Sequence, residues 1–167
     1  MKIIIVDEKD RVIGSKERAK LNHPKDIYRV SGLWITNSKG EVLMAQRALT
    51  KDSNPGMWGP AAAGTVEVGE TYNSNMIKEI KEELRLKNVK LKKGPKTMTS
   101  GARRYFCQWH FLKIDKKAKD FKIQKEEVNQ VKWISKDKLL ATIKKHPNKF
   151  IPSFRSGERI KLLCSKS

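Results

Sequence analysis

Three glutamates, Glu79, Glu82 and Glu83, stand at i, i+3 and i+4. On a helix that turns about 100 degrees per residue, this spacing sends all three side chains out through one sector. Like charges so close repel one another, at about a few tenths of a kcal/mol per pair, so the arrangement calls for a compensating cation. Hard divalent ions prefer oxygen ligands. A rigid helix offering several carboxylates can hold Mg²⁺ or Mn²⁺ and still leave coordination positions for water and phosphate oxygens. The plainer alternative is a solvated acidic face balanced by Lys78, Lys81 and Arg85.

The elements around the cluster must choose between these. Thr71 is placed to cap a helix running to about Leu86, with Ile77, Ile80 and Leu84 at helical spacing on a core-facing side. Upstream, Gly64 and Gly69 bracket a tight excursion that lets backbone approach a ligand, and Glu70 sits at the helix entrance. From Leu49 to Gly69 the chain is rich in Pro, Gly and Ala around Trp58, which predicts a packed loop without regular elements.

Ahead of that loop, Ile3–Val6 and Arg11–Ile13 predict one hairpin, the polar segment 16–25 a short helix or loop, and Val30–Thr36 with Val42–Gln46 a second hairpin across Asn37-Ser38-Lys39-Gly40. After the glutamate helix, Asn88–Leu91, Arg104–Ile114 and Val128–Ile134 read as strands, with the basic stretch 116–125 as a connection. Ser135 is expected to cap a helix through Lys145, and Pro147 and Pro152 precede a final helical segment. The pattern predicts an α/β fold, a mixed central sheet covered on both faces. A chain of 167 residues suits a single domain over 1–167.

Composition limits the other possibilities. The apolar run after Met1 is too short for a signal peptide or a membrane span, and no later segment is long enough, so no membrane partner is expected. Cys107 and Cys164 lack both CxxC and Cys/His ligand spacing, which points to a reducing, cytoplasmic setting. Lysine and arginine number 37 against 18 acids, a formal net charge of +19. Such a charge attracts polyanions, nucleic acid among them, but says nothing of chemistry.

Taken together, Gly64-x5-Glu70-x7-Lys78-Glu79-Ile80-x-Glu82-Glu83-x-Arg85-Leu86 resembles the Nudix box. Lys78 stands where the family has arginine, keeping the charge but losing the planar fork. Arg85 stands where the family has glycine, which reads as a variation in packing. The resemblance implies a Nudix-type α/β/α sandwich and a metal-dependent hydrolase cutting the diphosphate linkage of a nucleoside diphosphate joined to another moiety. It makes Glu79, Glu82 and Glu83 the ligands of Mg²⁺ or Mn²⁺, completed by a backbone carbonyl near Ala63-Gly64. It also implies a base among Glu79, Glu82 and a glutamate entering a later strand, Glu127 in preference to Glu126.

The run Arg47-Ala48-Leu49-Thr50-Lys51 followed by Pro55-Gly56-Met57-Trp58 is similar to the isopentenyl-diphosphate isomerase-like branch. The isomerase cysteine and histidines are missing: Ala63 precedes Gly64, Thr65 follows it, Tyr28 stands where a histidine aligns, and Arg103, Arg104 and Tyr105 stand in place of later acids. Isomerisation is therefore an outside alternative, and a non-catalytic RNA- or nucleotide-binding fold is another. For a small nucleotide-type substrate, Arg47, Lys51, Arg103 and Arg104 are candidate phosphate contacts. Trp58 leads Trp34, Tyr105 and Trp109 as a platform for a base.

Overall fold

A computed structural model describes residues 1–167. Nine strands make one mixed sheet: β1 (Lys2–Val6), β2 (Val12–Glu17), β3 (Ile27–Thr36), β4 (Glu41–Arg47), β5 (Trp58–Gly59), β6 (Ala62–Thr65), β7 (Lys92–Thr99), β8 (Arg104–Lys113) and β9 (Val128–Ser135). Three α-helices, α1 (Tyr72–Glu83), α2 (Lys136–Lys145) and α3 (Gly157–Lys166), cover it. None is long and apolar enough to cross a membrane.

β3 organises the sheet. It runs parallel to β8 from Ile27↔Arg104 to Thr36↔Lys113. Between Val30 and Leu33 it pairs antiparallel with β6, and at Ile27 and Tyr28 with β1. Its end turns through Asn37–Gly40 into β4, which carries β9 along its whole length and β5 near its end. The turn is set by Asn37, whose side-chain oxygen accepts the N–H groups of Lys39 and Glu41, and by Gly40 at φ 74°.

Alternation along the strands sorts side chains between two cores. Trp34, Cys107, Trp109 and Phe111 pack with Leu139 and Ile143 of α2 and Ile160 and Leu163 of α3. Leu33, Ile35, Leu43 and Leu112 pack with Met76, Ile80 and Leu84 at α1. Each such side chain, fully buried, contributes about 1.5–3 kcal/mol. The result is the expected sandwich, helices on both faces of a mixed sheet. The β1–β2 hairpin adds small cores of its own, Ile4 and Val6 against Ile27 and Val66, and Ile3 and Ile5 against Tyr28.

Several expectations need correction. The 49–69 segment contains β5 and β6, because pairing with β4 and β3 imposes extended structure on residues with little strand preference of their own. Asn88–Leu91 is not a strand: Asn88 takes φ 54°, and the pairing begins at Lys92. α1 stops at Glu83 rather than Leu86, and Arg85 adopts φ 54°, so the residue in the glycine position keeps the left-handed turn and is more than a packing variant. Within α1 the inward stripe is Met76, Ile80 and Leu84, while Ile77 is 47% exposed. Trp34 and Trp109 are core residues, 1% and 3% exposed, and offer no face to a base.

Candidate active site

The start of α1 is fixed by a reciprocal cap: the Ser74 N–H donates to Thr71 Oγ1 at 3.1 Å, and the Thr71 N–H donates to Ser74 Oγ at 2.9 Å. Glu70 lies just ahead. Its carboxylate accepts the Glu67 N–H and the Asn75 side-chain amide, both at 2.9 Å, and pairs with Lys78 at 2.7 Å. Lys78 also pairs with Glu67 at 2.9 Å, so it ties the loop to the helix through two acids. Burial works against both charges, yet these partners hold Glu70 below the usual carboxylate range and Lys78 above its ordinary value.

Glu79 lies across Gly64 of β6. A Cβ at residue 64 would sit 2.3 Å from Glu79 Oε1 and 2.4 Å from its carboxyl carbon, so the contact exists only because the residue is glycine. Glu127 arrives from the other end of the chain. The Gln124 N–H donates to the Glu83 carbonyl at 2.9 Å, the Glu127 N–H closes a turn onto the Gln124 carbonyl at 3.0 Å, and the Ala48 N–H donates to the Glu127 carbonyl at 2.9 Å. The entrance to β9 is thereby fastened to the end of α1 and to the end of β4. Lys51 Nζ then donates to both Glu127 carboxylate oxygens at 2.9 Å.

These groups line one open pocket of about 370 Å³. Glu79, Glu82, Glu83 and Glu127 share it with Ala63, Gly64 and Thr65, the cations Arg47, Lys51 and Lys78, and also Glu67, Gln124, Arg18 and Met1. Burial, reinforced by Glu82, Glu70 and Glu127 and opposed by Lys78, raises Glu79 to about 7. Burial, then the charges of Glu79 and Glu127, raise Glu83 to about 8, against the opposing pull of Arg47 and Lys51. Half-buried carboxyls in this state favour an added cation.

The donor set fits Mg²⁺ or Mn²⁺, being all oxygen and acidic. The carboxylates share the pocket without converging, since no three acidic, His or Cys side chains stand close enough to hold an ion without rearranging. Coordination would require rotation of these side chains.

The remaining candidates are dispersed. Arg47 lines the pocket but donates its Nε–H to the Ser53 carbonyl at 2.9 Å. Arg103 lines a smaller adjoining cleft, and Arg104 pairs with Glu8 and lines neither. Trp58 is half-buried in β5, with Lys132 Nζ 4.0 Å from its ring centroid, and does not line the glutamate pocket. Arg18, Thr65, Glu67 and Gln124 are pocket residues that sequence reasoning missed. Only Glu67 had a signal, an acid within reach of the lysine at the arginine position.

A NUDIX domain family model matches residues 27–154. An uncharacterized Nudix hydrolase of Pseudomonas aeruginosa is 32% identical over 130 residues, covering 77% of this chain and 75% of the relative. An isopentenyl-diphosphate Delta-isomerase of Photorhabdus laumondii is 26% identical over 157 residues, 92% of this chain and 88% of the relative. The crystal structure of a Deinococcus radiodurans protein has the same fold, with a TM-score of 0.75 at 22% identity over 87% of this chain and 90% of that one. The family match begins at the first residue of β3 and takes in β6, the whole of α1 and the entrance to β9, so by sequence as well as by architecture this chain belongs to the Nudix hydrolase family.

Proposed function

We propose that this chain, read as one domain, is a divalent-metal-dependent hydrolase that opens the diphosphate linkage of a nucleoside diphosphate joined to another group. One observation carries the reading: four carboxylates from two distant parts of the chain, Glu79, Glu82, Glu83 and Glu127, line a single pocket beside the Ala63–Gly64 backbone and two basic side chains, Arg47 and Lys51.

In this reading Glu79, Glu82, Glu83 and a carbonyl of Ala63–Gly64 hold Mg²⁺ or Mn²⁺. When bound, the metal neutralises diphosphate oxygens and acidifies a water molecule. The water oxygen forms a bond to phosphorus as the bridging P–O bond breaks, and a carboxylate, Glu127 or one of Glu79 and Glu82, accepts the water's proton. Lys51 orients Glu127 through its two hydrogen bonds. Arg47 and Lys51 contribute positive charge toward phosphate oxygens. Isomerisation, for which the Photorhabdus relative is named, has no support at residue 63, where an alanine offers neither a nucleophile nor a proton.

The test is release of phosphate or nucleoside monophosphate from a panel of nucleotide conjugates with Mg²⁺ or Mn²⁺. Turnover is expected from the parent, with a loss of roughly a hundredfold or more in Glu82→Gln and in Glu83→Gln. Parent-like turnover in both variants would overturn the assignment.

A further inference from the structure

Next to the glutamate pocket lies a second cleft of about 150 Å³, and the two share Arg18 and Thr65 in their walls. Arg103, Tyr28, His23, Leu21 and Ser53 complete the smaller cleft. Its lining is opposite in character to that of its neighbour, for it includes no carboxylate at all. Arg18 follows β2 directly, and Arg103 comes from the turn before β8. Tyr28 and Thr65 come from β3 and β6, which pair with each other two residues further along β3, at Val30↔Thr65.

Arg103 stands beside the Tyr28 hydroxyl. No acid neutralises either arginine, although the same surface pairs Arg11, Arg29 and Arg104 with acids. Arg18 makes only a 3.5 Å contact from Nη1 to the sulfur of Met1. Asp26, the acid near His23, is already occupied by Lys16 at 2.7 Å. Tyr28 is anchored by its neighbours, His23 edge-on at 5.9 Å and Tyr105 at 5.4 Å between ring centroids. The cleft thus brings two guanidinium forks and hydroxyl donors from Tyr28 and Thr65 together, the groups that recognise a compact, multiply charged oxyanion. It is far smaller than the neighbouring pocket, with room for a phosphate group but little for a nucleoside.

We infer that this cleft is a second anion subsite, which seats a phosphate group adjacent to the diphosphate being cut. The chain accordingly prefers substrates whose phosphate chain continues past the scissile linkage over those in which the diphosphate ends in an uncharged sugar. Thr65, directly after Gly64, belongs to both walls and marks where the phosphate chain crosses from one cleft to the other. The preference rests on the hydrolase reading, but the subsite itself does not require metal.

Two measurements separate the two ideas. In the first, inorganic tripolyphosphate is titrated into the full chain in EDTA, and the His23 ring protons are followed by NMR. Saturable shifts are expected, weakened roughly ten- to hundredfold in Arg18→Ala and in Arg103→Glu, the range of a lost charge-assisted hydrogen bond. Circular dichroism melts confirm that both variants are folded. In the second, kcat/KM is compared for ATP and ADP-ribose. The ATP to ADP-ribose ratio should favour ATP in the parent and fall at least roughly tenfold in Arg103→Glu. Absent His23 shifts, or shifts of equal affinity in folded variants, would refute the subsite. Tripolyphosphate binding at His23 without hydrolysis of any conjugate would keep the subsite and reject the hydrolase.

Discussion

At Gly64 the site is sensitive to a single methyl group. Because the Glu79 carboxyl occupies the space that a Cβ would need, Gly64→Ala should push that side chain aside and lower kcat by roughly a hundredfold, the cost of misplacing a reacting group by about 1 Å. Since Glu79 is a flexible side chain, the melting temperature should move little; a large drop with intact kcat would contradict this reading. A second residue-scale outcome concerns Glu83 without metal. Its folded value of about 8 lies above its ordinary 4.5, and Glu79 behaves alike at about 7. Between 4.5 and about 8 the native state therefore binds more protons than the unfolded chain, so in EDTA stability should fall as pH rises through that window and level off above it. Glu83→Gln should melt higher than the parent above pH 8 and nearly equal to it near pH 4.5, as read by thermal melts across pH. The helix glutamates could be read from sequence because i, i+3, i+4 spacing is a local property, whereas Glu127 is legible only through the resemblance of its strand to one in the family, since an acid at a strand entrance carries no signal of its own. Arg18 could not, since only the folded hairpin brings it to the pocket.

Among the elements, the informative case is the end of α1. Arg85 takes φ 54° just after the C-cap, Leu84, whose N–H donates to the Ile80 carbonyl at 3.2 Å. A side chain in that region is disfavoured relative to glycine, and Arg85 is exposed without an ion-pair partner. Arg85→Gly should thus stabilise the chain by about 1 kcal/mol, raising Tm by about 2–4 °C in calorimetry; a lower Tm would mean that Arg85 makes contacts worth more than its strain. Strong periodicity made most elements legible: β3, β4, β8, β9, α1 and α2 lie within a few residues of their expected bounds. β6 was invisible because Ala62-Ala63-Gly64-Thr65 has neither alternation nor bulk, and its extended form comes from four rungs on β3. β7 was misplaced because its glycine, proline and lysines read as loop, whereas on an edge strand they also discourage further pairing.

For the whole molecule, the net charge of +19 acts over distances that no single contact spans. It should gather anionic substrates, so KM for a phosphate-rich substrate should rise severalfold from low to roughly 0.5 M salt, with kcat nearly unchanged. A salt-independent KM would remove long-range attraction from the account. The same charge should let RNA bind at low salt in EDTA and dissociate near physiological salt, as measured by fluorescence anisotropy, because only non-specific phosphate contacts are involved. Tight RNA binding that survives physiological salt would instead favour the nucleic-acid-binding alternative.

The family match starts at Ile27, after the β1–β2 hairpin, yet that hairpin leads directly into Arg18 in the walls of both clefts. It meets β3 at two rungs and the segment after β6 through the Val68 N–H on the Lys2 carbonyl and a bridge from Ile3 to Glu67, and one of its small cores touches a large one through Val30 and Tyr105. Arg18 thus lies outside the stretch that the family model matches while Glu79, Glu82, Glu83 and Glu127 lie within it, so changes made in the hairpin should alter which anions are accepted before they disturb the carboxylate set.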